Sequence, residues 1–220
     1  MTPESLAIGL TSYVVLLFSL SFHEAAHGWM AHQMGDDTAL LEGRVSLNPL
    51  VHIDLVGTLL FPLVQIFTGI PLLGWAKPTP YNPGNFRRDV SMRKGHMLVA
   101  SAGPVSNLIL ALLFTGMFYV IIHMGLTEDP RSPSPLVMIV AIGIQMNVVL
   151  AIFNLVPIPP LDGSKVASHA LPRSMGERYD SVMEPYGYMI LLLLVMTGVL
   201  GRVISPITTL VTYTLYSLIA

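Results

Sequence analysis

Charge is nearly absent from three long stretches of the chain. The first opens at Ser5, meets no charged residue until Glu24 and continues to residue 33; the others cover residues 96 to 122 and 136 to 153. About 30 residues at 1.5 Å each extend roughly 45 Å, so the first stretch predicts a helix that crosses a bilayer and emerges from it. Gly35-Asp36-Asp37 ends that helix. Residues 55 to 76 are apolar too, but Pro62, Gly69, Pro71 and Gly74 interrupt them, and prolines at 78, 80 and 83 exclude regular structure from the loop that follows. Thr38 to Asp54 mixes polar and apolar positions and is too polar to span; it predicts a short strand or hairpin closed by an Asn48-Pro49 turn. A polar connection from Ser164 to Glu184 leads to an apolar segment at 186 to 200 and, past Arg202 and Pro206, a short apolar tail.

This pattern predicts an all-α polytopic membrane protein. Three transmembrane helices form the core, with a small β-hairpin or re-entrant region and one or two further helices in residues 185 to 220. No internal repeat or appended soluble domain is visible, so residues 1–220 read as one membrane domain. Composition agrees: 53% of residues are hydrophobic, 11% are charged, and the mean hydropathy is +0.66. The net charge is −2 and the basic residues sit in short loops, which gives nucleic acid no binding face. The lipid bilayer is the expected partner. The first apolar run has no Lys or Arg before it and no small-residue cleavage site, so it is expected to stay in the chain rather than leave as a signal peptide.

With no cysteine, strong metal ligands can come only from histidine and carboxylates. The first span ends in His23-Glu24-Ala25-Ala26-His27. Two histidines four residues apart project from one helix face, where both can bind a single Zn2+ while the carboxylate between them stands beside the open coordination position. Ionisable groups in an apolar span are costly, which favours a functional reading. A catalytic zinc commonly takes three protein ligands. Candidates for the third are Asp162, Asp54, His32, His52, His96, His169 and Glu42. Asp162 is favoured because it follows a proline-broken helix at the end of a span, where irregular backbone is tolerated only if it lines protein or a cavity; the competing reading of Asp162-Gly163 is a plain surface turn.

His23-Glu24-Ala25-Ala26-His27, Gly103-Pro104-Val105-Ser106-Asn107 and Asn154-Leu155-Val156-Pro157-Ile158-Pro159-Pro160-Leu161-Asp162-Gly163 occur in that order on three spans. Together they resemble the site-2 protease family of intramembrane zinc metalloproteases, in the short subgroup without a PDZ domain. The resemblance covers residues 5 to 170. It implies one Zn2+ per chain held by His23, His27 and Asp162, with Glu24 as catalytic base and Asn154 and Asn107 as polar groups near the substrate or its oxyanion. The implied activity is hydrolysis of a peptide bond in or next to a transmembrane segment, as in regulated intramembrane proteolysis.

If the three ligands share one ion, the loops after Met34 and after Asn154 lie on one membrane side. Residues 55 to 76 must then dip in and return or lie in the interface. The loop with Arg87, Arg88, Arg93 and Lys94 falls on the same side, which the positive-inside rule makes cytoplasmic, and the linker with Glu128, Asp129 and Arg131 falls opposite. An inner-membrane protein with its site opening towards the cytoplasm is expected. A metal-ion transporter and a noncatalytic zinc-binding scaffold are the competing readings; the first needs ligands repeated along a path, the second a closed four-ligand site.

Overall fold

The computed structural model describes residues 2–69, 74–126 and 134–218. Among them are α1 (Pro3–Met34), α2 (Thr38–Leu41), α3 (Phe61–Thr68), α4 (Met92–His123), α5 (Pro135–Asn154), α6 (Asp162–Ala170), α7 (Arg173–Met196) and α8 (Val199–Ser217). Helices α1, α4 and α5 are each long and apolar enough to cross a membrane, and they pack against one another. Their ends carry local signals. Thr2 and Ser134 cap α1 and α5 ahead of a proline in the first turn, the Ser91 hydroxyl accepts the Lys94 N–H at the start of α4, and Gly35, at φ +105°, stops α1.

The face that α1 turns inward is unusual. Val15, Ser19, His23, His27 and Ala31 recur every fourth residue and are all buried, whereas Val14 and Phe18 are exposed. On α4, Ile109, Leu112 and Leu113 face outward in the same way. Lipid tails are as apolar as leucine, so helices in a membrane are joined by close packing and interhelical hydrogen bonds rather than by removing apolar surface from water. Apolar packing governs the other half of the bundle: Val140, Ile144 and Val148 of α5 are fully buried against Ala111 and Ile121 of α4 and Leu215 of α8.

Residues 55 to 68 do not cross. A wide helical turn at Leu55–Leu60 runs into α3, and 14 residues reach only about 21 Å. The Tyr13 hydroxyl donates to the Thr58 carbonyl, and Ile66 lies against Gly9, so the segment runs along α1 towards its N-terminus. By Trp75 the chain has returned, its N–H donating to the Gly57 carbonyl at 3.2 Å. The two ends of the segment therefore lie together, compatible with both the re-entrant and the interfacial alternative; Pro71 lies outside the described residues, as do Glu128, Asp129 and Arg131 of the linker.

One expectation needs correction. No strand forms among the described residues, so the hairpin at Thr38 to Asp54 is replaced by α2, turns and irregular backbone. The cause is Arg44, which is buried and donates to the carbonyls of Val51, Lys77 and Pro78, drawing this segment onto the proline-rich loop rather than onto a partner strand. The connection from Ser164 to Glu184 is also helical. It forms most of α6 and the first half of α7, because Arg93 donates to the carbonyls of His169 and Ser168 and satisfies the end of α6. Helices α7 and α8 meet at a 76° bend and pack through Leu191, Leu200 and Ile204. The Arg87 N–H bonds the Met34 carbonyl at 2.8 Å, so the end of α1, the basic loop, the start of α4 and α6 share one end of the molecule.

Candidate metal centre

His23 and His27 stand one turn apart on the buried face of α1, with rings 4.7 Å apart and nearly perpendicular. Helix α4 crosses them at Gly103. A Cβ there would lie 2.4 Å from His27 Nε2 and 2.6 Å from His23 Nε2, so only glycine allows this approach. Asp162 arrives from the other side at the first residue of α6. The turn that delivers it is as tight: a Cβ at Gly163 would sit 2.2 Å from the Leu155 carbonyl oxygen.

The three side chains converge. His23 Nε2 lies 3.0 Å from Asp162 Oδ2, His27 Nε2 lies 3.3 Å from the same oxygen, and the two Nε2 atoms are 3.1 Å apart. The far nitrogens explain what these atoms are. His27 Nδ1 is 2.7 Å from the Val99 carbonyl, which can only accept, and His23 Nδ1 is 2.7 Å from Asn107 Oδ1. Each Nδ1 therefore carries a proton, and in the neutral form of each ring Nε2 turns a lone pair inward. Two lone pairs and a carboxylate oxygen facing one another call for a cation. Zinc takes imidazole nitrogen at about 2.0–2.1 Å and carboxylate oxygen at about 2.0–2.2 Å, which sets neighbouring donors of a tetrahedron about 3.3 Å apart. The donor set and its spacing fit that ion. Outward hydrogen bonds from both rings are the usual support of metal-binding histidines.

Glu24 offers a carboxylate oxygen within 4.8 Å of the two histidine ligand atoms. Its support comes from the proline-rich loop: Oε2 accepts the Thr79 N–H at 2.8 Å, and the Glu24 carbonyl accepts the Thr79 hydroxyl at 3.1 Å. That loop is fastened by Arg44 through the carbonyls of Lys77 and Pro78, and by the Lys77 N–H, which donates to His52 O at 2.9 Å.

The remaining candidates go elsewhere. Asp54 caps the wide turn through Val56 and Gly57, His32 pairs with Asp37 at 2.6 Å, and His52 Nε2 bonds the Ser46 carbonyl. His96 meets the Tyr81 hydroxyl and stacks on His169, and Glu42 is exposed. Asn107 is fully buried and its amide is committed to His23, Asn147 and Ser19, which leaves no N–H for a substrate. Asn154 is half-buried, one N–H returning to the Leu150 carbonyl. Thr79, Arg44, Ser19 and Asn147 had no place in the sequence reading, and Gly103 entered it only as part of its motif. The signal for Ser19 and Asn147 was present: a polar residue in an apolar span needs a partner.

Beside the site lies a groove of about 350 Å3. Phe22, Ala25, Ala26 and Trp29 of α1 form one wall, and residues 45 to 47 with Ser106 form the rest. The backbone N–H groups of Val45, Ser46 and Leu47 have no partner among the described residues.

A family model described as Peptidase family M50 matches residues 122–198. The protein YwhC of Bacillus subtilis (strain 168), whose name carries the description zinc metalloprotease, is 39% identical over 203 residues, covering 90% of this chain and 87% of that protein. Rip2 of Mycolicibacterium smegmatis (strain ATCC 700084 / mc(2)155), with the same description in its name, is 28% identical over 190 residues, 84% of this chain and 66% of that protein. No solved structure matches. With such identity carried over nearly the whole sequence, the chain belongs to the M50 peptidase family, the site-2 protease metallopeptidases.

Proposed function

We propose that this metallopeptidase works inside the membrane, hydrolysing a peptide bond in or next to a transmembrane segment of a membrane-protein substrate, as in regulated intramembrane proteolysis. The observation that carries the proposal is the convergence of three acceptors, from His23, His27 and Asp162, on one point between helices long and apolar enough to span a bilayer. These three residues hold the Zn2+. When bound, the ion supplies Lewis-acid polarisation of the scissile carbonyl and acidifies the attacking water. Glu24 takes that water's proton and returns it to the leaving nitrogen. Asn154, with one N–H not used by Leu150, donates to the oxyanion that develops.

The substrate enters as an extended segment. A helical substrate has its backbone bonds satisfied internally, so exposing a carbonyl means unwinding it at a cost of several bonds. The groove offers replacements. Its apolar wall accepts side chains, and the free N–H groups of Val45 to Leu47 pair with the unwound strand. Arg87 and Arg88 lie at the end of the bundle where α1 leaves the site, which supports a cytoplasmic orientation of that end by the positive-inside rule.

The test is the purified chain in lipid, incubated with a panel of single membrane-spanning substrates and compared with Glu24→Gln. The native chain is expected to hold one zinc and cut within or beside the span, and Glu24→Gln to hold one zinc and cut nothing. Zinc content near zero, or cleavage that survives the substitution, overturns the assignment. A transporter would instead carry zinc into vesicles and show no cleavage.

A further inference from the structure

Asn147 sits in α5, fully buried and more than 100 residues along the chain from His23 and His27. Its hydrogen bonds have a direction. Nδ2 donates to the Gly143 carbonyl at 2.9 Å and to Ser19 Oγ at 2.9 Å, so Oδ1 is the atom that meets Asn107. Asn107 must then present Nδ2, which also donates to the Ser19 carbonyl at 3.3 Å. That turns Asn107 Oδ1 to His23, which answers with its Nδ1–H at 2.7 Å. Two carbonyls that can only accept, on α5 and α1, thus fix the sense of the whole chain of bonds. A flipped amide at either asparagine would set N–H against N–H or oxygen against oxygen inside a dry bundle, where an unpaired polar group is costly. The two ligand histidines differ in this respect. His27 is oriented by the Val99 backbone, whereas His23 is oriented by side chains alone.

We infer that Asn147 is a positioning residue for the metal centre: acting through Asn107, it sets the ring orientation of His23 and keeps the proton on Nδ1, so that Nε2 is free to bind the ion. The inference rests on the assignment of His23 as a zinc ligand made above. Ser19 completes the arrangement one turn before His23, so α1, α4 and α5 are joined by one set of bonds at the level of the site. Partners of this kind change metal affinity by about 10–100-fold when removed from direct contact with a ligand.

The test uses the full chain in detergent and reads zinc affinity by competition with a chelator. Asn107→Leu is expected to weaken zinc by about 10–100-fold and Asn147→Leu by about tenfold. The double substitution is expected to be no weaker than Asn107→Leu, because Asn147 acts only through Asn107. Asn147→Asp restores affinity to within about threefold, since a neutral carboxylic acid keeps both an acceptor for Asn107 and an O–H for Gly143. Val148→Ala, which loosens the same helix without touching the relay, leaves affinity unchanged. Native affinity in Asn147→Leu, or multiplying effects in the double variant, overturns the inference. Should the leucine variants not fold, nitrogen NMR of histidine-labelled, zinc-loaded native protein decides instead: His23 with Nδ1 protonated supports the relay, and His23 with Nδ1 bare overturns it. A native chain that binds no zinc overturns the metal assignment itself, which separates that failure from failure of the relay.

Discussion

The two sides of the His23-Glu24-Ala25-Ala26-His27 turn are supported by different kinds of structure. The histidines face α4, where Gly103, Asn107 and the Val99 carbonyl hold them from within a long helix. Glu24 faces a loop, where Thr79 holds it and Arg44 holds the loop in turn. Helices locate a side chain through many coupled bonds, whereas a loop can be shifted without unwinding the bundle. The metal side is thus built for fixed geometry and the base side for adjustment as a substrate enters.

That division can be broken from either side. Gly103→Ala attacks the metal side and should have the largest effect: its methyl group must displace His27 Nε2 or push α4 away, so zinc content and cleavage both fall to background, measured by metal analysis and gel assay. Arg44→Met attacks the base side. Three carbonyls lose a buried cationic donor, at a cost on the order of 3 kcal/mol in thermal unfolding, and cleavage falls about tenfold while bound zinc stays at one per chain. Equal loss of zinc in this variant would show that the two sides are not separate.

Asp36 gives a smaller, pH-dependent effect where the loop is anchored to the end of α1. Burial alone would raise its carboxyl, but bonds from the Thr38 hydroxyl, the Asn82 N–H, the Asn85 amide and the Thr38 N–H hold it below the ordinary range. A carboxyl whose pKa is lower folded than unfolded contributes stability above its unfolded value of about 3.9, and loses that contribution as pH falls through the folded value. Asp36→Asn should therefore lower the melting temperature near neutral pH, by a loss on the order of 2 kcal/mol, and flatten its decline below pH 4. The smallest effect is expected at Thr79→Val, which removes the hydroxyl but keeps the N–H to Glu24: stability changes by about 1 kcal/mol or less and kcat by under about threefold.

The three spans and the candidates His23, His27 and Asp162, which the structure brings together, were legible in the sequence. Uncharged runs of spanning length are bounded by glycine, serine and proline, and His23, His27 and Asp162 stand at their ends. Residues 38 to 54 misled because the mixed polar and apolar pattern read as a strand or hairpin, whereas Arg44 binds carbonyls up to 34 residues away. Asn107 was legible as polar but not as a support for His23, since its geometry depends on Asn147, 40 residues further on.

Gly103, His23 and Asp162 meet only where α1, α4 and α6 touch, and this bears on how the enzyme is made. Membrane helices can insert one at a time before they associate, and no two of these parts lie on one helix. A newly inserted chain whose helices are still apart therefore has no metal centre. An ion shared by α1 and α6 would bind only the assembled bundle and so favour its completion.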